Sequence, residues 1–274
     1  MTDQGERYDR LATGYARWWA PVLAPAVDAL LDEIDPEMTG RTHLVDIGTG
    51  TGQLALGALA RWPDASIVGI DASPGMRAVA DAEADRQLSV ADRPRFRSAV
   101  ASAESLPFSD GAFDAALSSF VLQLVARRAR ALREARRVLR PGGMLAYVTW
   151  LQDDRIFLPD STFDDILDDL DIDARGDDGG RSGDLPSVER AAGELRAAGF
   201  ADVQARGDRL EHRFTVEGYI DFLRKFDEET LFDELEPVVR ARLVAELQTR
   251  LTALSEEAMT MGFPIVFASG RRSR

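Results

Sequence analysis

The sequence predicts an α/β protein, a mostly parallel sheet with helices on both faces, and three observations lead there. Short apolar runs alternate with helix-period segments from His43 to Trp150, the pattern of parallel strands joined by crossover helices. A glycine-rich turn, Gly48-Thr49-Gly50-Thr51-Gly52, follows the first run, and the second run ends on Asp71. Glycine turns and acidic strand ends gather at the carboxyl edge of such sheets, where ligands bind.

Composition narrows the classes. A chain of 274 residues that is 45% hydrophobic has enough apolar surface for one large core with insertions. It contains no Cys, which excludes disulfides and thiolate metal sites. The polar, acidic start Met1-Thr2-Asp3-Gln4-Gly5-Glu6 has no signal-peptide pattern. No run approaches the roughly 20 apolar residues of a membrane span, so a cytoplasmic protein is expected. The formal net charge of −14 argues against a nucleic-acid partner. The one basic stretch, Arg271-Arg272-Ser273-Arg274, reads as a disordered end.

The first 40 residues read as helical. Tyr8, Leu11, Tyr15, Trp18 and Trp19 form one apolar stripe at spacings of three and four. Pro21 and Pro25 interrupt it, a second helix starts at Val27, and Pro36 and Gly40 close the segment. His43-Leu44-Val45-Asp46-Ile47 is the first strand, followed by a helix over 52–61. Ser66-Ile67-Val68-Gly69-Ile70 is the second, ending at Asp71, and a helix starts at Pro74. A third strand is expected over 95–100 and a fourth over 113–118. A helix over 127–139 stops at Pro141-Gly142-Gly143, and 144–150 is the fifth strand.

Beyond Trp150 the alternation breaks. Nine Asp fall between positions 160 and 178, but without the spacing of a calcium loop. Phe163, Ile166, Leu167 and Leu170 share helical spacing, so the segment reads as an amphipathic helix with a solvated acidic face. Gly176-Asp177-Asp178-Gly179-Gly180 reads as a flexible loop. A helix over 188–198, a sixth strand over 202–212, helices around 216–226 and 237–255, and a last strand over 263–268 beside the sixth complete the chain.

The chemistry concentrates in Val45-Asp46-Ile47-Gly48-Thr49-Gly50-Thr51-Gly52. Glycine lets the backbone turn sharply and approach a ligand closely, and the following helix directs its N-terminal N–H groups into the same crevice. Asp71, 19 residues after Gly52, is placed to accept hydrogen bonds from ribose hydroxyls. A dinucleotide and an adenosine ligand both fit that spacing. Against the dinucleotide, Gln53 occupies the final Gly position of Gly-x-Gly-x-x-Gly, and Asp46 would repel a pyrophosphate while tolerating a cation.

These residues resemble known motifs. The run from Val45 to Gly52 is similar to the first motif of class I S-adenosylmethionine (SAM)-dependent methyltransferases, and Gly69-Ile70-Asp71-Ala72-Ser73 to the second. The run Glu104-Ser105-Leu106-Pro107-Phe108-Ser109-Asp110-Gly111-Ala112-Phe113-Asp114 resembles the segment around the fourth strand of that class. Leu139-Arg140-Pro141-Gly142-Gly143-Met144-Leu145 resembles its turn into the fifth. The pattern looks most like the methyltransferase type 11 group, related to the ubiquinone/menaquinone C-methyltransferases. Beyond Trp150 the likeness is one of architecture.

The resemblance implies a Rossmann-like seven-stranded sheet with SAM as cofactor. It implies that Gly48, Thr49, Gly50 and Gly52 pack against the methionine part and ribose, with Asp46 before the turn. Asp71 would hold the ribose hydroxyls, and Ala72 and Met76 would line the adenine. Relatives carry Asp-Ala-Glu after the third strand, where this chain has Ser102, Ala103 and Glu104. Ser118, Ser119 and Phe120 would face the methionine end. The His that relatives carry shortly after is replaced by Gln123 and Leu124. Tyr8 and Tyr15 would close over the cofactor, although core packing explains that stripe equally.

Methyl transfer from a sulfonium needs a general base only if the acceptor must lose a proton. His43 starts a strand at the wrong edge and reads as structural, whereas His212, near the end of the sixth strand, is the candidate base. The expected organisation is 1–40 helical cap, 41–150 cofactor core, 151–186 acidic lid, 187–212 core continuation, 213–258 helical lid and 259–274 last strand and tail. The expected partners are a small-molecule methyl acceptor and, as an option, a second copy in a homodimer. Two readings stand beside transfer: a SAM-binding protein without transferase activity, and an NAD-dependent oxidoreductase, which Gln53 and Asp46 disfavour.

Overall fold

The computed structural model describes residues 11–12, 14–173 and 183–274; Tyr8 and the loop expected over 176–180 lie outside the described residues. Seven strands form one sheet in the order β3-β2-β1-β4-β5-β7-β6. They are β1 (His43–Ile47), β2 (Ser66–Asp71), β3 (Phe96–Val100), β4 (Phe113–Ser119), β5 (Leu139–Trp150), β6 (Phe200–Arg213) and β7 (Thr260–Arg272). Strands β3, β2, β1, β4 and β5 pair in parallel, and β7 pairs antiparallel with β5. β7 therefore lies between β5 and β6 in the strand order.

The central strand β1 is buried at every position after His43, as expected of a strand covered on both faces. Helices α1 (Ala20–Ile34), α2 (Gln53–Arg61), α3 (Pro74–Gln87), α4 (Arg128–Val138) and α6 (Val188–Ala197) accompany the sheet. Val45, Ile47, Ala116, Leu132, Val138, Leu145 and Leu195 belong to one buried cluster of strands and helices.

Two expectations are corrected. α1 runs unbroken through Pro25: Pro21 sits in its first turn, where the missing N–H costs nothing, and eight buried side chains outweigh the bond lost at Pro25. The C-terminal arginines are structural. β7 reaches Arg272, whose guanidinium donates to the carbonyls of Arg136, Arg137 and Leu139, capping the end of α4.

The chain divides into two compact units. The first holds Met1–Gln152, Arg181–Asp208 and Pro264–Arg274, the second Asp153–Gly180 and Arg209–Phe263. In the second, α5 (Leu158–Asp169) buries Phe163, Ile166 and Leu167, as the acidic amphipathic pattern predicts. α7 (Val216–Phe222) widens into a π-helical turn, Leu223–Asp227, before α8 (Glu229–Glu234) and α9 (Pro237–Thr252). The wider turn keeps Phe222, Leu223 and Phe226 all buried. Phe157, Phe214, Tyr219 and Phe222 pack ring to ring, and the Tyr219 hydroxyl donates to Asp160. Among the described residues, no helix is long and apolar enough to cross a membrane.

Candidate functional site

The strand order reverses between β1 and β4, and a crevice opens beyond the strand ends at such a point. There the chain leaves β1 through glycines held at φ of +76° (Gly48), +54° (Gly50) and +88° (Gly52), a region glycine enters without steric cost. The N–H groups of Gly48 and Thr49 both donate to the Ile70 carbonyl at 2.8 Å, which fixes the turn to the end of β2. A Cβ on Gly48 would collide with the Val121 side chain, whereas one on Gly50 would meet nothing within 4 Å. Gly48 thus permits close packing, and Gly50 leaves open space beside the cavity. No side chain caps the start of α2.

Asp71 joins the turn to the start of α3. Its Oδ2 accepts from the Gly50 N–H and its Oδ1 from the Ser73 N–H, both at 2.8 Å. Burial raises its pKa above the ordinary carboxylate value, against the pull of those N–H groups. Ser73 accepts from the Met76 N–H at 3.0 Å and caps α3, which places Met76 against the cavity. Asp46 lies beneath the turn, fully buried. Its Oδ2 accepts from the Thr49 hydroxyl at 2.8 Å, and its Oδ1 has no aligned hydrogen bond. Burial pushes its pKa up to about 7; the Thr49 bond and the Ala55 N–H pull the other way, and the Asp71 charge adds to the rise.

After β3 the Ala101 N–H donates to the Asp71 carbonyl at 2.9 Å, and the Ser102 hydroxyl accepts from the Glu104 N–H at 3.2 Å. The Glu104 carboxylate takes both the Arg127 N–H and its guanidinium. Burial opposes the Glu104 charge, but Arg127 and Arg130 hold its pKa below the usual value. After β4, Phe120 adopts φ of +54°, uncommon for a residue with a side chain. Its ring lies 4.3 Å from that of Trp150, which lies 6.5 Å from Trp19.

These segments enclose a cavity of about 340 Å³, within the range of small-molecule sites. The structure brings together Tyr15, Gly48, Thr49, Gly50, Asp71, Ala72, Met76, Ser102, Ala103, Glu104, Ser119 and Phe120 in its lining. Gly52 and Asp46 stand behind it rather than in it. Ser118 turns away, buried, and donates to the Ile47 carbonyl at 2.8 Å. His43 pairs through its ring with Ser66, as a structural residue would. His212 belongs to the second unit, edge-on to Phe214, and burial lowers its pKa. Sequence reasoning missed Leu23, Leu54, Val121, Leu124 and Val125, which also line the cavity. Leu23 was hidden by the helix break expected at Pro25; the others carry no signal beyond being apolar.

Among the described residues, the ionisable groups of the lining are Tyr15, Asp71 and Glu104, with no Arg, Lys or His. From these described residues a pyrophosphate would meet carboxylates, while a positively charged ligand would be stabilised. Residues 45–147 match the family model described as a methyltransferase domain. The demethylmenaquinone methyltransferase of Thermus thermophilus is 45% identical over 104 residues, 38% of this chain and 44% of that protein. Residues 45–147 are thus similar in sequence to known methyltransferase domains. A ubiquinone/menaquinone biosynthesis C-methyltransferase of Dinoroseobacter shibae is 35% identical over 144 residues, 53% of each chain. The chain thus spans about half the length of the curated relatives it matches. The solved structure of the [4+2]-cyclase SpnF, at 25% identity and a TM-score of 0.59, covers 91% of this chain and 80% of its own.

Proposed function

We propose that the protein transfers the methyl group of SAM to a small-molecule acceptor bound beside the cavity. The observation that carries this reading is the Asp71–Gly50 pairing in a lining whose described charged residues are both carboxylates. The residues fit the cofactor. Each Asp71 oxygen accepts one backbone N–H and keeps a lone pair for a ribose hydroxyl. Ala72 and Met76 offer an apolar surface for the adenine, beside the backbone of Ser102, Ala103 and Glu104. Gly48, Thr49 and Gly50 present backbone to the methionine part, and the buried Asp46 adds negative potential behind them.

When bound, SAM supplies a methyl group on a sulfonium, which leaves as a neutral thioether on in-line attack. The chain's part is to align and to exclude water, and alignment alone is worth about 7–11 kcal/mol of barrier. Leu54, Phe120, Val121 and Tyr15 do this as apolar and aromatic walls. For an acceptor that must lose a proton, a general base would be worth about 10²–10⁴-fold; His212 is proposed for it on its chemistry alone, a ring that burial keeps neutral and able to accept. The relatives' names make demethylmenaquinone-type rings the first acceptors to test. The match covers only about half of those proteins, so the panel must extend to nitrogen and oxygen nucleophiles.

A second reading, SAM binding without transfer, is favoured by the likeness to SpnF, a protein named as a cyclase. Release of S-adenosylhomocysteine on adding acceptors separates the two. Acceptor-dependent release that disappears in Asp71→Ala supports transfer. Tight SAM binding with no release across the panel favours the second reading.

A further inference from the structure

Gln123 follows β4, in the stretch where the relatives of the resemblance carry a His. Its side chain does not enter the cavity lining. The amide instead spans two partners: Nε2 donates to the Phe120 carbonyl at 2.7 Å, and Oε1 accepts from the Thr149 hydroxyl at 2.5 Å. The orientation of the amide is fixed by chemistry, because a carbonyl can only accept and so demands the NH₂ end. Thr149 is fully buried on β5. The Phe120 N–H donates to the Val148 carbonyl at 2.8 Å. Both polar groups of the Phe120 backbone are therefore tied to β5, one directly and one through Gln123.

What they hold is a strained corner. A non-glycine residue at φ +54° persists only where its surroundings over-determine it, and such residues cluster at ligand sites. Phe120 lines the cavity and is 5% exposed. The next residue, Val121, packs so closely on the Gly48 α-carbon that no Cβ fits between them. The corner thus forms the wall facing the glycine turn.

We propose that Gln123 is a positioning residue for the cofactor cavity: it ties the Phe120–Val121 corner to β5 and so sets the wall that faces the Gly48 turn. This rests on the reading of the cavity as a SAM site. Without the Nε2 donor, the Phe120 carbonyl loses its partner and the corner relaxes toward a right-handed conformation. The Phe120 ring then leaves Trp150, and the cavity widens at that end.

The test compares Gln123→Leu and Gln123→Glu with the unaltered protein, reading S-adenosylhomocysteine affinity by calorimetry and the near-ultraviolet circular dichroism of the Phe120–Trp150 pair. At pH 7.5 both variants should bind at least tenfold more weakly and lose the aromatic signal. Protonation gives the Gln123→Glu side chain an O–H donor near its ordinary pKa of about 4.3. Its deficit relative to the unaltered protein at the same pH should therefore shrink at pH 5, while that of Gln123→Leu should not. A purely structural loss would not follow that pattern. Affinity within twofold of normal in Gln123→Leu, or deficits that do not separate with pH, overturns the proposal. If Gln123→Leu does not fold, Thr149→Val decides: a three- to fivefold loss supports the proposal, and unchanged affinity overturns it. An unaltered protein that binds no S-adenosylhomocysteine refutes the site reading itself, and the proposal falls with it.

Discussion

The two turns that meet at the Gly48–Val121 contact beside the cavity reach positive φ by opposite means. At Gly48 and Gly50 the conformation is intrinsic to the residue type, and the Ile70 carbonyl and the Asp71 carboxylate anchor the turn. At Phe120 the same region of backbone space is imposed from outside, by Val148 directly and by Thr149 through Gln123. The difference teaches where sensitivity lies: the first turn fails when a side chain is added, the second when a distant partner is removed.

The largest effect on this contrast is expected from Gly48→Ala. Left-handed strain of about 1–2 kcal/mol adds to overpacking against Val121 of about 1–3 kcal/mol. Thermal unfolding should show a loss of about 2–5 kcal/mol, and calorimetry should show no cofactor binding; a stable, binding variant would break the account of this turn. Asp71→Ala comes next. It removes charge-assisted hydrogen bonds worth about 1.5–3 kcal/mol each, so SAM affinity should fall on the order of 100-fold with the fold retained. Unchanged affinity would show that the ribose assignment is wrong.

Asp46→Asn sharpens the electrostatic side of the comparison. The pKa of Asp46 is raised from the ordinary 3.8 to about 7 in the folded protein. The folded state therefore binds more protons than the unfolded chain between those values, and the Asp46 contribution to stability declines as pH rises through that window. Asp46→Asn should be the more stable protein above pH 7, with the advantage fading toward pH 4. SAM affinity of the unaltered protein should rise as pH increases through about 7, where Asp46 ionises, and the variant should lose this slope. Parallel pH profiles for the two proteins would contradict the assignment. The smallest effect belongs to Gly50→Ala: its Cβ meets open space, so unfolding should show only the conformational cost of about 1–2 kcal/mol. A loss as large as that of Gly48→Ala would mean that the Val121 contact is not what distinguishes the two glycines.

The same contrast explains what could be read from the chain. The glycine turn, the strand before it and Asp71 are legible because local chemistry dictates them: residue type, strand period and cap all agree. The Phe120 corner is not, since nothing in Ser119-Phe120-Val121 signals a left-handed residue, and the partners that impose it lie on β5. Pro25 misleads in the same way, as a local helix breaker overruled by the buried face of α1. So does Arg272, an apparent tail residue whose three carbonyl partners are supplied by the end of α4 and the residue after it. Apolar lining residues such as Val121 and Leu124 carry no mark that separates them from core.

The most direct test of the central claim is a calorimetric titration of the unaltered protein with SAM, S-adenosylhomocysteine and NAD under one set of conditions. The account predicts one SAM or S-adenosylhomocysteine bound per chain, with NAD giving no heat. Saturable NAD binding in the absence of any SAM binding would contradict it.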